Sequence, residues 1–237
     1  MAVKLLKELS EKRQDRFQNE IRILKELSHD KITKCFGYGH VALGDDPVEV
    51  PWMAMSLGGD NLRLHLDRTK QPLGPEIAVG ICQQICSALV HVHSKEIIHR
   101  DLKLSNIVWE TEDNREDIFL IDFGIAKFIG EDVSGRKMDT FTELTEFVGP
   151  ANFSSPELLA YARDKSTLVD HRSDLFQLGL ILWFLSTNNL LAGIPSKRRD
   201  PTGGKIHEVV MDLIAEDPDD RMGSTSELES RLERLLE

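Results

Sequence analysis

His99-Arg100-Asp101-Leu102-Lys103-Leu104-Ser105-Asn106, followed by Asp122-Phe123-Gly124, is the stretch of sequence that decides the fold. It combines a carboxylate that can act as a base, a cation, and two oxygen-bearing side chains that suit a metal ion. Phosphoryl transfer needs such groups, because its catalysis rests on positioning and on neutralising charge. The specified residues would fall into this frame by chance on the order of once in a hundred million chains, so the pattern favours that chemistry.

The residues before the second motif predict how its carboxylate is presented. Ile118-Phe119-Leu120-Ile121 is a short apolar run that predicts a buried strand. Asp122 follows directly, where a loop can expose it. Taken alone, Asp-Phe-Gly is most often a turn, and a lone histidine such as His99 is most often a core residue. Their combination at this spacing is what favours catalysis.

The two motifs resemble those of the catalytic domains of eukaryotic-type serine/threonine protein kinases. The resemblance implies that Asp101 accepts or orients the proton of the attacking hydroxyl, and that Lys103 reaches the transferred phosphate. It also implies that Asn106 and Asp122 hold Mg²⁺, which bridges the terminal phosphates of ATP. The other motif residues would have structural roles: His99, Arg100, Phe123 and Gly124. The implied function is ATP-dependent phosphoryl transfer to serine or threonine hydroxyls of a protein substrate.

The resemblance extends over nearly the whole chain and implies an α+β, two-lobed protein-kinase-like fold. Residues 1–57 would form a partial N-lobe with a small antiparallel sheet, and residues 58–237 a mainly helical C-lobe, together one kinase domain. In the N-lobe, Lys4 would contact the α- and β-phosphates of ATP and pair with Glu20 of the first helix. The hinge that binds adenine would comprise the gatekeeper Met55 together with Ser56 and Leu57.

The stretch after the second motif resembles an activation segment that ends at Pro156-Glu157. Glu157 would pair with Arg221, and Asp174 would bind the backbone of the catalytic loop and hold it rigid. A phosphate on the activation segment can dock on an arginine such as Arg100 and order the segment. Three threonines of this stretch are therefore either regulatory phosphosites or ordinary loop residues: Thr140, Thr142 and Thr145.

Two features depart from the family pattern. The chain begins three residues before Lys4 and contains no Gly-x-Gly-x-x-Gly, so the first two strands and the glycine-rich loop over the phosphates are missing. Either the start lies too late in the sequence, or the protein has lost ATP clamping and is a pseudokinase or interaction scaffold. Pro150 stands where such kinases usually have a threonine that contacts Asp101 and Lys103, and proline cannot donate that hydrogen bond.

A small-molecule phosphotransferase is a further alternative, because aminoglycoside and choline kinases share the Asp-x-x-x-x-Asn loop and a later metal-binding Asp. Those enzymes generally lack a lysine two residues after the base and a Pro-Glu activation segment. Both occur here, as Lys103 and Pro156-Glu157. We therefore expect a protein substrate, and Lys103 favours serine or threonine over tyrosine as the acceptor.

Composition agrees with one enzyme-sized globular unit and limits its partners. The 237 residues are 41% hydrophobic and 29% charged, which is enough for a sizeable core. A net charge of −11 disfavours nucleic acid and anionic membranes as partners. The longest apolar run, residues 178–185, is too short to cross a bilayer, and the first residues lack the apolar core of a signal peptide.

The three cysteines fit a reducing compartment better than a disulfide framework, so we expect a cytoplasmic location. The sequence does not indicate an oligomeric state. Hydrophobic periodicity predicts helices over Glu11–Leu27, Pro75–His93, Asp174–Ser186, His207–Ala215 and Ser226–Leu236. Short apolar runs predict strands near Ile32–Tyr38 and Val48–Met55.

Overall fold

The computed structural model describes residues 1–42, 49–56, 58–112, 115–129, 153–191 and 193–236. It has the expected α+β fold, in which a small antiparallel sheet and one long helix precede a mainly helical part. The strands of this sheet in the described residues are β1 (Ala2–Leu5), β2 (Cys35–Ala42) and β3 (Glu49–Met55). Their order in the sheet is β1-β3-β2, and helix α1 (Glu11–Glu26) follows β1 in the chain.

The register of the sheet directs Lys4 to the side on which α1 lies. Lys4 and Tyr38 both pair with Met53, so the three side chains share one face of the sheet. Met53 is fully buried and belongs to the same core as Phe17 and Leu24 of α1. A cation on β1 and a side chain on α1 can therefore meet on this face.

The described residues contain six further α-helices: α2 (Leu62–Thr69), α3 (Pro75–Ser94), α4 (Pro156–Arg163), α5 (Arg172–Thr187), α6 (Lys205–Leu213) and α7 (Thr225–Glu233). All of them except α4 contribute side chains to one apolar core. The five helices expected from periodicity are confirmed, with ends that differ by no more than three residues. Helices α2 and α4 are absent from that prediction because eight residues are too few to display a clear period.

Helix α5 occupies the centre of the helical part. It is apolar on nearly all sides, and its largest side chain, Trp183, is buried. In the described part of the chain, one helix, α3, is long and apolar enough to cross a membrane. Its Ile81, Ile85 and Leu89 are fully buried in the protein core, as expected for a core helix.

Two short pairs of strands bring the two motifs together. Strand β4 (Ile97–Ile98) leads into the catalytic loop and pairs with β7 (Lys127–Phe128), which follows the second motif. Strand β5 (Ile107–Glu112) leaves the catalytic loop and pairs with β6 (Arg115–Leu120), which leads into the second motif. Each motif is therefore flanked by strands that pair with the strands of the other.

Two of the expected strands have different limits in the structure. The strand expected from Ile32 begins at Cys35, because Ile32 forms an isolated bridge with Leu120 instead of joining the sheet. Strand β6 ends at Leu120, and the N–H of Ile121 donates to the carbonyl of Asn106 at 3.0 Å. The second motif thus starts from a residue that is tied to the catalytic loop.

Candidate active site

The catalytic loop folds around the carboxylate of Asp101. Lys103 Nζ donates to both of its oxygens, at 3.0 Å to Oδ1 and 2.7 Å to Oδ2. Asn106 Nδ2 donates to Oδ2 and to the carbonyl of Asp101, at 2.9 Å in each case. A 3₁₀ turn over Leu104–Asn106 allows this, because it returns Asn106 toward Asp101. One short loop therefore gathers three of the residues to which the resemblance assigns catalysis.

Asp101 has the properties of a base. Burial raises the pKa of its carboxyl, while the charge of Lys103 acts against that shift. The carboxylate of Asp122 raises the pKa further. A carboxylate with a raised pKa accepts a proton more readily. The N–H of Asp101 donates to Nδ1 of His99 at 3.2 Å, and burial lowers the pKa of His99, so this imidazole is neutral.

Asp122 lies in a different electrostatic environment. Burial acts to raise the pKa of its carboxyl, but the charges of Lys4 and Lys103 outweigh burial and hold the pKa below its ordinary value. Its backbone is left-handed, with φ of 64°, a conformation that is uncommon outside glycine and frequent at functional sites. The pKa of Asp101 is thus raised and that of Asp122 is lowered. Such a difference suits one carboxylate that acts as a base and one that stays ionised.

Three structural residues connect the two motifs inside the protein: His99, Phe123 and Gly124. The rings of His99 and Phe123 are fully buried, with centroids 4.6 Å apart. The N–H of Gly124 donates to Oδ1 of Asp122 at 3.3 Å. A Cβ at position 124 would lie 3.2 Å from the same oxygen, so a larger residue would press on the Asp122 carboxylate.

Asn106 and Asp122 offer the oxygen atoms that a divalent cation prefers. Because Nδ2 of Asn106 donates to Asp101, its amide oxygen faces away from that residue and is available as a ligand. The lowered pKa of Asp122 keeps its carboxylate ionised. Hard oxygen donors of this kind fit Mg²⁺. In the described residues as a whole, this site included, no group of three His, Cys, Asp or Glu side chains could hold a metal ion.

Lys4 of β1 and Glu20 of α1 form an ion pair, with Nζ 2.6 Å from Oε2. Burial raises the pKa of Glu20, and the charge of Lys4 opposes that shift. Burial acts to lower the pKa of Lys4, but the carboxylates of Glu20 and Asp122 outweigh it and raise the pKa. Lys4 is therefore held as a cation next to the second motif.

The hinge residues lie at the end of β3. Met55 is the last residue of the strand and pairs with both neighbouring strands. The N–H of Ser56 donates to the carbonyl of Lys34 at 3.0 Å, which leaves the carbonyl oxygen of Ser56 as its backbone group for a nucleobase. Several sequence-predicted positions lie outside the described residues: Leu57, Thr140, Thr142, Thr145 and Pro150.

Asp174 of α5 is fully buried and holds the catalytic loop by its backbone. Its two carboxylate oxygens accept from the N–H groups of His99 and Arg100, both at 2.8 Å. Nε2 of His93 lies 2.8 Å from Oδ2 and donates a third hydrogen bond. Burial acts to raise the pKa of Asp174, but these hydrogen bonds and the neighbouring histidines hold it below its ordinary value.

Glu157 and Arg221 form a buried, bidentate ion pair. The two guanidinium nitrogens donate to the two carboxylate oxygens at 2.7 and 2.8 Å. Arg221 also donates to the carbonyls of Ala215 and Glu216. The pair therefore fastens the start of α4 to the segment between α6 and α7, which is a structural role.

Asn19 supports the site and is absent from the sequence prediction. Its Nδ2 lies 3.4, 3.1 and 2.9 Å from the carbonyl oxygens of Phe123, Gly124 and Ala126. The side chain thus attaches α1 to the second motif. In the sequence, Asn19 is distinguished only by its position next to Glu20. That position does not predict its contact with the second motif, because neighbouring residues of a helix point in different directions.

Gln177 is a second supporting residue that the sequence prediction lacks. Its Oε1 accepts from the N–H of Leu102, and its Nε2 donates to the carbonyl of Arg100, both at 3.1 Å. It follows Asp174 by three residues, so both side chains lie on one face of α5. That spacing is a signal that could have identified it.

Comparisons with known proteins agree with this geometry. The family model described as protein kinase domain matches residues 1–237. A crystal structure of the Mycobacterium tuberculosis PknI kinase domain, a double mutant, superposes with a TM-score of 0.71 at 23% identity. The match covers 99% of this chain and 84% of that chain. At this identity the likeness concerns the fold.

Curated relatives are serine/threonine-protein kinases. Pkn2 of Myxococcus xanthus is 28% identical, over 92% of this chain and 27% of its own length. PknB of Mycolicibacterium smegmatis is 27% identical, over 94% of this chain and 36% of its own length. Serine/threonine-protein kinase 10 of Homo sapiens is 33% identical, over 76% of this chain and 17% of its own length. The chain thus spans about a third or less of the length of these relatives.

Proposed function

The chain belongs to the protein kinase family, and from this premise we propose that it transfers the terminal phosphoryl group of ATP to serine or threonine hydroxyls of a protein substrate. One observation carries the proposal: the carboxylate of Asp101 is held by both Lys103 and Asn106, and its pKa is raised. The names of the relatives support the choice of serine and threonine as acceptors.

The residues of the catalytic loop would share the chemical work. Asp101 would orient the attacking hydroxyl and take its proton as the new O–P bond forms. Lys103 would place its ammonium group beside the transferred phosphoryl group, where negative charge is spread over three oxygens. The hydrogen bonds from Lys103 and Asn106 fix the carboxylate before the substrate arrives, so little reorganisation remains for the reaction.

The nucleotide would lie between the hinge and the second motif. The carbonyl of Ser56 would accept from the adenine, with Met55 next to it, and Lys4 would bind the α- and β-phosphates. Glu20 would keep Lys4 in place through their ion pair. Asn106 and Asp122 would hold Mg²⁺, which neutralises the charge of the terminal phosphates when bound.

Regulation and location complete the proposal. We propose Thr140, Thr142 and Thr145 as phosphosites, which mass spectrometry after incubation with ATP tests. Phosphate found only at other residues would contradict that assignment.

We also propose the cytoplasm as the location, which is supported by the free thiols of Cys35, Cys82 and Cys86. Cell fractionation tests it.

The experiment that tests the activity compares carboxylate variants. The chain is incubated with labelled ATP, Mg²⁺ and a generic protein substrate, and labelled phosphoserine and phosphothreonine are counted. We expect Asp101→Asn to lower kcat by about 10²- to 10⁴-fold, because the base is lost. Asp67→Asn is the matched control, since Asp67 forms an exposed pair with Arg63 outside the site. Wild-type kcat in Asp101→Asn, or no transfer by the wild type, would contradict the proposed function.

A further inference from the structure

A single buried tyrosine, Tyr161 of α4, is surrounded by cations. Lys127 Nζ lies 2.8 Å from its hydroxyl oxygen and donates to it. The guanidinium carbon of Arg100 lies 5.0 Å from the ring centroid, and the ammonium nitrogens of Lys127 and Lys165 lie 5.4 and 4.4 Å from it. The side chain is 6% exposed. Three segments that are distant in sequence therefore meet at one phenol.

Arg100 is the member of this group that belongs to the catalytic loop. Its backbone has φ of 68°, and the N–H and carbonyl groups are bonded to Asp174 and Gln177. This left-handed conformation is strained and persists because its surroundings hold it. A buried guanidinium also needs a compensating partner. Within the residues that the structure describes, Nε of Arg100 has no hydrogen-bond partner, and the guanidinium lies over the ring of Tyr161.

Lys127 lies three residues after the other motif. It belongs to β7, which follows Gly124 and pairs with the strand before the catalytic loop. Its hydrogen bond to Tyr161 therefore connects the segment after the second motif with the same phenol that contacts Arg100. Burial acts to raise the pKa of Tyr161, but the hydrogen bond and charge of Lys127 and the charge of Arg100 outweigh it and lower the pKa.

We propose that Tyr161 is a positioning residue: its ring packs against Arg100, its hydroxyl binds Lys127, and together these contacts keep the catalytic loop and the segment after Gly124 in register. The consequence for catalysis rests on the proposed function. The ordering of the loop does not, and it can be measured separately.

The chain offers a matched control for this tyrosine. It contains two tyrosines, and the other is Tyr38, which is 49% exposed on β2. Tyr38 has the same kind of partner, because Lys25 Nζ lies 3.3 Å from its hydroxyl and 5.4 Å from its ring centroid. Tyr38→Phe and Tyr161→Phe therefore remove the same atom from the same type of contact, and only the second contact involves the catalytic loop.

Hydrogen exchange of the loop amides at 99–106 is the deciding measurement, with folding checked by circular dichroism. In Tyr161→Phe we expect these amides to exchange at least about 10-fold faster than in the wild type, because the local opening free energy falls. Lys127→Met, a second variant that keeps the phenol, is expected to accelerate the same amides. Tyr38→Phe is expected to leave them unchanged. Wild-type protection of the loop in Tyr161→Phe would overturn the proposal, whatever the activity.

Kinetics and titration add readouts that a purely packing role would not change. We expect Tyr161→Phe to lower kcat by about 10-fold while KM for ATP stays within about 2-fold. In Tyr38→Phe, Tyr161 is the sole tyrosine, and its absorbance at alkaline pH should titrate below the ordinary phenol value of about 10. Titration at or above that value would overturn the proposal. A wild type without kinase activity would contradict the proposed function. Hydrogen exchange and titration would still test whether Tyr161 positions the catalytic loop.

Discussion

At the scale of single residues, one buried carboxylate explains the shape of the catalytic loop. Asp174 accepts from two consecutive backbone N–H groups, those of His99 and Arg100, and from His93. Arg100 has a left-handed backbone with φ of 68°, so the chain changes direction directly after these two bonds. Asp174 thus fixes the backbone directly before Asp101.

We predict that Asp174→Asn destabilises the protein in a pH-dependent manner. An amide accepts with one oxygen only, so its NH₂ group would face a backbone N–H, at a cost of about 2–4 kcal/mol at neutral pH. The folded-state pKa of Asp174 is lowered, so its contribution is complete above the unfolded value of about 4 and is lost as the pH falls through the folded value. Urea unfolding at several pH values measures the difference between variant and wild type, which should shrink below that pH.

Asp164→Asn is the control for this prediction. Asp164 is exposed and its carboxylate binds only Ser166 among the described residues, so we expect Asp164→Asn to have a much smaller effect on stability than Asp174→Asn at neutral pH. A destabilisation by Asp174→Asn that stays constant from neutral to acidic pH would contradict the electrostatic explanation.

Much of the site at this scale follows from the sequence, because short motifs fix their own geometry. Asp101, Lys103 and Asn106 lie within six residues, and a single turn brings their side chains together. Tyr161 could not be predicted in the same manner. Its contact with Arg100 depends on how α4 packs, and a lone tyrosine in a short helix carries no periodic signal.

At the scale of elements, α1 is attached to the second motif by one amide side chain. Glu20 holds Lys4 through an ion pair, and Asn19 binds the backbone that follows Asp122. The helix therefore sets the positions of Lys4 and Asp122, the two charged residues of the proposed nucleotide site. Periodicity predicts this helix well, because its buried residues recur at helical spacing. It does not predict Asn19, since a polar residue on a charged helix resembles a solvated one.

We predict that Asn19→Ala weakens the link between α1 and the second motif. It leaves three carbonyl groups without this donor, which should cost about 1–2 kcal/mol of stability, and displacement of the Asp122 carboxylate should lower kcat by about 10-fold. Gln14→Ala is the control in the same helix, because Gln14 is exposed and its side chain donates to the carbonyl of Leu9, which lies outside the site. Unchanged kinetics in Asn19→Ala would show that α1 does not position Asp122.

Helix packing gives a second prediction at this scale. A Cβ at Gly179 of α5 would lie 2.8 Å from Cβ of Leu213 in α6, whereas a Cβ at Gly80 of α3 would meet nothing within 4 Å. We therefore expect Gly179→Ala to destabilise by about 1–3 kcal/mol through overpacking. Gly80→Ala should stabilise by about 0.5–1 kcal/mol, because alanine is the better helix former. Equal effects of the two substitutions in urea unfolding would contradict this packing.

At the scale of the whole molecule, a single ion pair fastens regions that are far apart in sequence. Glu157 is the second residue of α4, and Arg221 lies 64 residues later, between α6 and α7. The arginine side chain is fully buried and the glutamate nearly so. From the sequence, only the resemblance to protein kinases predicts this partnership, because the types and the order of the two residues match the family pattern. Periodicity and composition contain no information about which buried acid meets which buried base.

We predict that the two halves of this pair are strongly coupled. Arg221→Met leaves the Glu157 carboxylate buried without its partner, which should cost about 3–5 kcal/mol in urea unfolding. The double variant with Glu157→Met removes both charges, so it should recover part of that loss, and the two substitutions should be far from additive. Arg231→Met is the control, because its pair with Asp212 is exposed and should contribute about 0–1 kcal/mol. Additive losses in the double-mutant cycle would mean that Arg221 stabilises the fold through its bonds to the carbonyls of Ala215 and Glu216 and not through the glutamate.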